Sequence, residues 1–536
     1  MAAMVFKNRQ KSGLTAFPLQ FSAPIFLAVL CLLPGCPVAA QKARRFACPG
    51  CNVILVSLDA LRADAIGAYG YPRATTPNLD RLAGGAAVFL NAWAHAPNTL
   101  PSHMSIFTSQ YPWRHKVEVI HKDRLAQTAV TLPMALQLRG YLTVWDAHTN
   151  HPHLGLAAGF ERGFDMFYSC VPLRHRPRNH KSEWRPAFRW LEENGNRKFF
   201  MFLHTANMHN PYTRDKASLR RFQAGQGVSK VMSPEEVERR VAEHIAPDPA
   251  LAYLAKVLNA NAGIFAMRDF NAKHRALLEL ITQAGADSGR GPSWAALTIL
   301  HKFFADSPGD MAALRAAYDA SVFEADAMLG RLYARLEALG LADKTLLVIT
   351  ADHGEEFLEH GRLGHSQLYA ENLHVPLMFI FPGDRPAKRL ARPVQSIDVA
   401  PTILDAVGLP PLAGAQGRSL LPLMEGTALP GPAALALARW RGSYSARDGR
   451  HTYVLKNNCP YPYQSWNAAC LEQEFYDRAA DPGELVNIFS ASKEIAAGFA
   501  ARLAGETGAN AGELAAPWPA GITQETRKTI LDTGYW

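Results

Sequence analysis

Residues 52–59 read Asn52-Val53-Ile54-Leu55-Val56-Ser57-Leu58-Asp59. A continuous apolar, β-branched run that stops on a carboxylate has the pattern of a strand buried on both faces. Similar runs recur at 142–145, 199–203, 345–350 and 376–381. Helical patterns lie between them, as at 131–139 and 311–339. Strands alternating with helices predict an α/β fold, a mainly parallel sheet flanked by helices. In such sheets the active groups gather beyond the carboxyl ends of the strands. Asp59, His204 and the pair Asp352-His353 all fall there on this reading.

Outward from that core, composition sets limits. The chain has 536 residues, 48% hydrophobic and 19% charged. That supports a large core and excludes global disorder. Residues 1–40 read as an export signal peptide. Lys7, Arg9 and Lys11 start it, an apolar stretch runs from Ala23 to Leu33, and Val38-Ala39-Ala40 offers small residues before a cut at Gln41. The apolar stretch is short and interrupted by proline, unlike a membrane span of ~20 residues. An uncleaved anchor and a lipid anchor at Cys36, within Leu33-Pro34-Gly35-Cys36, are the alternatives. The mature chain then has no membrane span and is exported, periplasmic or extracellular. Without the leader's three basic residues the formal net charge of +9 falls to about +6. There are no long basic runs, so no nucleic-acid polymer is expected as a partner.

The cysteines agree with export. Cys459 and Cys470 bracket a short loop and suit a disulfide. Cys48-Pro49-Gly50-Cys51 has C-x-x-C spacing, and without a second such pair a local disulfide is expected rather than a zinc site. Cys170 is left over.

The organisation changes twice along the chain. Residues 213–310 are rich in helical patterns and carry no strong strand, which predicts a helical insertion, either a lid or packing decoration. The catalytic domain is expected over 41–430. Beyond it, 431–536 reads as a smaller α+β subdomain, with short antiparallel strands at 436–441, 443–446 and 452–456 and a closing helix at 488–503.

Four pieces carry chemistry. Asp59, leaving a buried strand, is a fixed oxygen ligand for a hard cation, or the cap of a following helix. Asn98-Thr99-Leu100-Pro101-Ser102-His103 places Thr99 at a helix start, where the helix dipole and a metal would both favour an alkoxide. The bland alternative is that Thr99 only caps the helix. Asp352-His353-Gly354-Glu355 follows another strand and supplies one oxygen and one nitrogen ligand. His204 and His209, in His204-Thr205-Ala206-Asn207-Met208-His209, can protonate a leaving oxygen, or lie outside the first ring of contacts.

In order along the chain these pieces resemble the sulfatase family of the alkaline phosphatase superfamily. The resemblance covers roughly 52–212 and 312–490. It includes Thr75-Thr76-Pro77-Asn78-Leu79-Asp80, Thr99-Leu100-Pro101-Ser102-His103, His209-Asn210-Pro211-Tyr212, Asp352-His353-Gly354-Glu355, Asp398-Val399-Ala400-Pro401 and Asp481-Pro482-Gly483-Glu484. It implies the family's α/β fold with a small C-terminal antiparallel sheet and helix. The departures redirect the chemistry. Sulfatases carry Cys or Ser, matured to formylglycine, at the position of Thr99, and Arg at that of His103. Oxidised threonine gives a ketone, so the formylglycine route is closed. Thr-x-Pro-Ser-His is instead similar to the nucleophile motif of nucleotide pyrophosphatase/phosphodiesterases.

The resemblance then implies one divalent ion held by Asp59, Thr99, Asp352 and His353. Ala60 and His353 replace an Asp and an Asn frequent in calcium enzymes, which favours zinc or manganese over calcium. Asn207 stands where many relatives with a second ion carry Asp. His209 or His365 is expected to protonate the leaving group, and Arg62, His103 and His204 to steady a small anionic ester substrate. The expected activity is hydrolysis of phosphate (di)esters or related esters through a covalent threonine intermediate. The alternatives are a sulfuric ester hydrolase without formylglycine, an envelope headgroup phosphotransferase and a non-catalytic binding protein.

Overall fold

A computed structural model describes residues 44–119, 122–147, 158–169, 184–209, 212, 215–223, 232–247, 252–268, scattered positions between 273 and 303, 307–429, 435–457 and 471–507. The chain first lays down β1 (Asn52–Leu58), β2 (Ala87–Trp93), β3 (Leu142–Ala147), β4 (Met166–Ser169), β5 (Phe199–Thr205) and β6 (Thr345–Thr350). A small hairpin follows, β7 (Glu356–Phe357) with β8 (Leu363–Gly364). Then come β9 (His374–Ile380), β10 (Lys388–Leu390) and β11 (Val394–Gln395). The main sheet has the order β10-β2-β9-β6-β1-β5-β3-β4, with β11 also on β2.

That order explains the opening sequence. β1 runs parallel to β5 on one side and to β6 on the other, so both its edges are hydrogen-bonded. Its side chains alternate between two cores: Ile54, Val56 and Leu58 enter one, Val53 and Leu55 the other. On the first face lie the helices Arg185–Asn194 and Pro308–Ala338, through Trp190, Leu314 and Leu329. On the second lie Thr99–Thr108 and Val399–Ala406, through Met104, Phe107 and Ile403. With apolar cover on both faces, the strand needs no polar alternation. The sheet is mixed rather than wholly parallel, because β9 runs antiparallel to both β6 and β2.

The described part of 213–310 holds the helices Lys216–Gln223, Pro234–Arg240 and Ala252–Ala260 and no strand. Ser307 caps the long helix, which therefore begins inside the segment expected to be an insertion. Toward the C-terminus β12 (Ala436–Trp440), β13 (Ser443–Arg447), β14 (His451–Asn457) and β15 (Leu471–Asp477) form a second, antiparallel sheet in that order. The helix Lys493–Thr507 covers it with Ala496, Phe499 and Leu503 against Tyr453 and Phe475.

Two expectations from the sequence meet a different arrangement. β5 extends through Thr205, so His204 lies inside the strand and not beyond it. Cys48 and Cys51 are free thiols rather than a disulfide, on a turn closed by Cys51 N–H on Cys48 O at 3.0 Å. The leader 1–40, Cys170, Cys459 and Cys470 lie outside the described residues. Among the described residues no helix is long and apolar enough to cross a membrane.

Candidate metal centre and nucleophile

Strand register brings the first groups together. Ser57 of β1 pairs with His204 of β5 and with Thr350 of β6. Two residues beyond Ser57 the chain reaches Asp59, and two beyond Thr350 it reaches Asp352. The two carboxylates leave neighbouring parallel strands side by side, both fully buried. Gly354 permits the turn that follows, since a Cβ there would sit 1.9 Å from Glu371 O.

Thr99 arrives from the far side of the sheet as the first residue of the helix Thr99–Thr108. Asn98 is the N-cap, in extended backbone (φ −152°, ψ 141°). The Thr99 hydroxyl is therefore not the helix cap. Its Oγ1 lies 3.3 Å from His353 Nε2.

Asp59, Asp352 and His353 offer three ligand atoms within 4.8 Å of one another. His353 Nδ1 donates to Gly354 O at 2.9 Å, which leaves Nε2 with a lone pair. That lone pair sits 3.4 Å from Asp59 Oδ1 and 3.5 Å from Asp352 Oδ2. Asp352 Oδ1 accepts the N–H of Ala60 (3.3 Å) and of His353 (3.0 Å), whereas Oδ2 accepts no hydrogen bond among the described residues. Two buried carboxylates facing an imidazole lone pair repel one another unless a cation lies between them. The mixture of nitrogen and oxygen donors fits a divalent ion.

A second triad, His103, His204 and Asp352, shares one of these carboxylates. His103 Nδ1 donates to Thr99 O at 2.8 Å, and its Nε2 accepts from Ser57 Oγ at 2.8 Å. Both ring nitrogens are occupied, so this triad is a poor second cation site. Burial pushes His103 down to about 4, against the opposing pull of Asp352, and keeps it neutral. His204 Nε2 lies 3.5 Å from Asp59 Oδ2. Both imidazoles stand behind the carboxylates and the nucleophile, rather than in the open.

His209 and His365 meet each other. Their Nε2 atoms are 3.0 Å apart. His365 Nδ1 donates to Pro97 O at 3.0 Å, so its Nε2 accepts and His209 Nε2 carries the shared proton. Burial holds His365 well below the usual imidazole range, with His353 and His209 adding to the shift. The His365 ring also packs on that of His353, centroids 4.2 Å apart.

Arg62, expected to steady the substrate anion, is engaged by groups of the protein. Its Nε and Nη2 donate to Asp64 at 2.8 and 2.7 Å, and its Nη1 to Glu355 O and Glu359. Its guanidinium pairs with Asp64 and Glu359, and these bonds join the Asp59 turn to the 355–359 segment.

Three neighbours of the site were given no role by the sequence reading, although Glu355 falls inside one of its motifs. Glu355 is wholly buried, and burial, with Asp59 and Glu356 beside it, raises its carboxyl well above the usual range. Glu356 accepts the N–H groups of Ser366 (2.6 Å) and Gln367 (3.0 Å) and both side-chain amides of Gln367 and Asn372. It thereby fixes the turn that bears His365. The signal available was an adjacent acid pair trailing a metal-type motif. Tyr318, from the middle of the long helix, had no local signal at all.

A family model described as Sulfatase matches residues 51–409, and one described as N-sulphoglucosamine sulphohydrolase, C-terminal, matches 358–506. Among curated proteins, Arylsulfatase K of Rattus norvegicus is 28% identical over 329 residues, 54% of this chain and 57% of that protein. Arylsulfatase K of Homo sapiens is 35% identical over 179 residues, 33% of each chain. The chain thus spans between a third and three fifths of the length of these relatives. Among solved structures, the phosphonate monoester hydrolase of Agrobacterium radiobacter superposes with a TM-score of 0.60 at 22% identity, covering 85% of this chain and 95% of that one. A protein solved with its substrate D-glucosamine-2-N,6-O-disulfate gives 0.57 at 20%, covering 86% and 99%. At these identities the structural likeness concerns the fold.

Proposed function

The chain belongs to the sulfatase family, and on that premise we propose an exported, metal-dependent hydrolase of phosphate (di)esters or related esters that uses Thr99 as a covalent nucleophile. The observation that carries this reading is the 3.3 Å approach of Thr99 Oγ1 to His353 Nε2, beside two buried carboxylates. Threonine excludes the formylglycine route, because its hydroxyl carbon also bears a methyl group.

A divalent ion held by Asp59, Asp352 and His353 would lower the pKa of the Thr99 hydroxyl and polarise the ester. The N-terminus of the helix Thr99–Thr108 adds partial positive charge at the same hydroxyl. Thr99 Oγ1 releases its proton to solvent and forms its bond to phosphorus in line as the bond to the leaving oxygen breaks. His209 gives that oxygen a proton, with His365 held by Pro97 as its partner. The oxygen of a water molecule then bonds to phosphorus as the threonine–phosphoryl bond breaks, a water proton returns to Thr99 Oγ1, and His209 is reprotonated from solvent. Distributed over these groups, a barrier lowering of ~10 kcal/mol or more is reasonable. Export rests on the leader pattern of residues 1–40.

A second reading, sulfuric ester hydrolysis by Thr99 itself, is favoured by the relatives named Arylsulfatase K. Sulfate monoesters share the tetrahedral anion with less charge. Nitrophenyl phosphate, bis-nitrophenyl phosphate and nitrophenyl sulfate, offered to zinc- or manganese-loaded protein, separate the two. Faster phosphate or phosphodiester turnover supports the first reading. Faster sulfate turnover overturns it in favour of the second.

A further inference from the structure

We propose that Tyr318 is a positioning residue for the cation site, acting through the backbone of Ala60. The inference rests on the reading of Asp59, Asp352 and His353 as metal ligands. Ala60 follows Asp59 directly and holds φ at +60°, a left-handed conformation that any residue with a Cβ adopts at a cost. Such a turn persists only where its surroundings enforce it. Here the enforcement comes from two side chains. The Tyr318 hydroxyl donates to Ala60 O at 2.8 Å and accepts the Arg62 N–H at 2.9 Å. Asp352 Oδ1 accepts the Ala60 N–H at 3.3 Å.

The phenol cannot turn away. Tyr318 is fully buried, and its ring packs edge-on against Tyr212 and Phe357, centroids 5.7 and 5.1 Å away. It therefore fixes the direction in which the chain leaves Asp59. If Ala60 relaxes toward negative φ, its N–H moves off Asp352 Oδ1 and that carboxylate is free to rotate. One hydroxyl thus governs the mutual aim of both carboxylate ligands without touching either. At Ala60, where the family resemblance implies an Asp in many calcium enzymes, this chain contributes a peptide group.

The test is titration of metal-stripped, full-length protein with Zn2+ or Mn2+ by calorimetry, alongside thermal unfolding in chelator. Tyr318→Phe is expected to bind the ion about tenfold more weakly, the scale of lost support behind a ligand. Adding Ala60→Gly lets the chain hold φ +60° without strain. The double variant is expected to recover affinity to within about threefold of wild type, while the stability lost with the hydroxyl stays lost. A purely structural tyrosine would lower stability and leave affinity alone. Unchanged affinity in Tyr318→Phe overturns the proposal. So does a double variant that binds as weakly as the single one, which also decides the matter where the single variant folds poorly. Wild-type protein that binds neither ion overturns the site reading itself, and the clamp with it.

Discussion

Thr99 Oγ1 stands 3.3 Å from His353 Nε2, across 254 residues of chain. Neither element can be moved alone. Thr99 opens a helix whose ten residues are all buried, and His353 follows a strand in the middle of the sheet. The contact is therefore a product of the whole fold, and removing the hydroxyl should leave that fold intact. Thr99→Ala is expected to lower ester turnover at least a thousandfold, about 4 kcal/mol. Its unfolding midpoint and its metal binding should stay close to wild type. Thr99→Ser keeps a hydroxyl and should retain measurable turnover. Steady-state kinetics and thermal unfolding on the same preparations check both.

Cation binding should appear in stability as well as activity. An ion that binds only the folded chain, at a hundred times its Kd, adds about 2.7 kcal/mol. Wild-type protein should show that gain with zinc or manganese and lose it in chelator. Asp352→Asn removes the carboxylate whose Oδ2 accepts no hydrogen bond among the described residues, and should abolish the gain. A metal-dependent midpoint in that variant equal to wild type would remove Asp352 from the ligand set.

The paired imidazoles make a prediction about leaving groups. A nitrophenolate departs without a proton, whereas an alkoxide needs one. His209→Asn should cost roughly a hundredfold on an alkyl ester and less than tenfold on a nitrophenyl ester. Equal losses on both would mean that the pair supports structure and not proton transfer.

Asp146, near the end of β3, gives a stability signature separate from metal binding. Burial raises its carboxyl to about 7, and only one backbone bond, from Ala187 N–H at 3.1 Å, opposes the shift. The folded state therefore holds a proton that the unfolded chain releases near its ordinary pKa of about 3.9. Stability from this group is complete below that pKa and is lost as pH rises through about 7. The full loss is on the order of 4 kcal/mol. Asp146→Asn should flatten this part of the pH profile in denaturant unfolding. A wild-type profile between pH 4 and 8 that the variant reproduces would contradict it.

What the sequence disclosed follows from burial. β1 and β6 were legible to the residue because strands covered on both faces are unbroken apolar runs. β2 was not found, because Asn91 interrupts a strand that is only partly covered. β15 was missed because its first half is exposed and charged, so neither a run nor an alternation shows. β5 was read short because polar His204 ends the apolar run, although it is buried and paired with Ser57. Asp59, Thr99, Asp352 and His353 were visible as ordered motifs, and the structure brings the four together. Arg62 was expected from the resemblance to steady the anion, and its partners Asp64 and Glu359 lie in local geometry that spacing does not encode. Tyr318 reaches Ala60 only through tertiary packing, so no window of sequence could have named it.

The central claim is that the reacting group passes through the Thr99 oxygen. It is tested most directly by rapid acid quench of the metal-loaded enzyme during turnover, followed by mass spectrometry of its peptides. The account predicts one phosphoryl or sulfuryl group on the peptide bearing Thr99, localised to that residue and absent from Thr99→Ala. A modified residue other than Thr99, or undiminished turnover in Thr99→Ala, would contradict it.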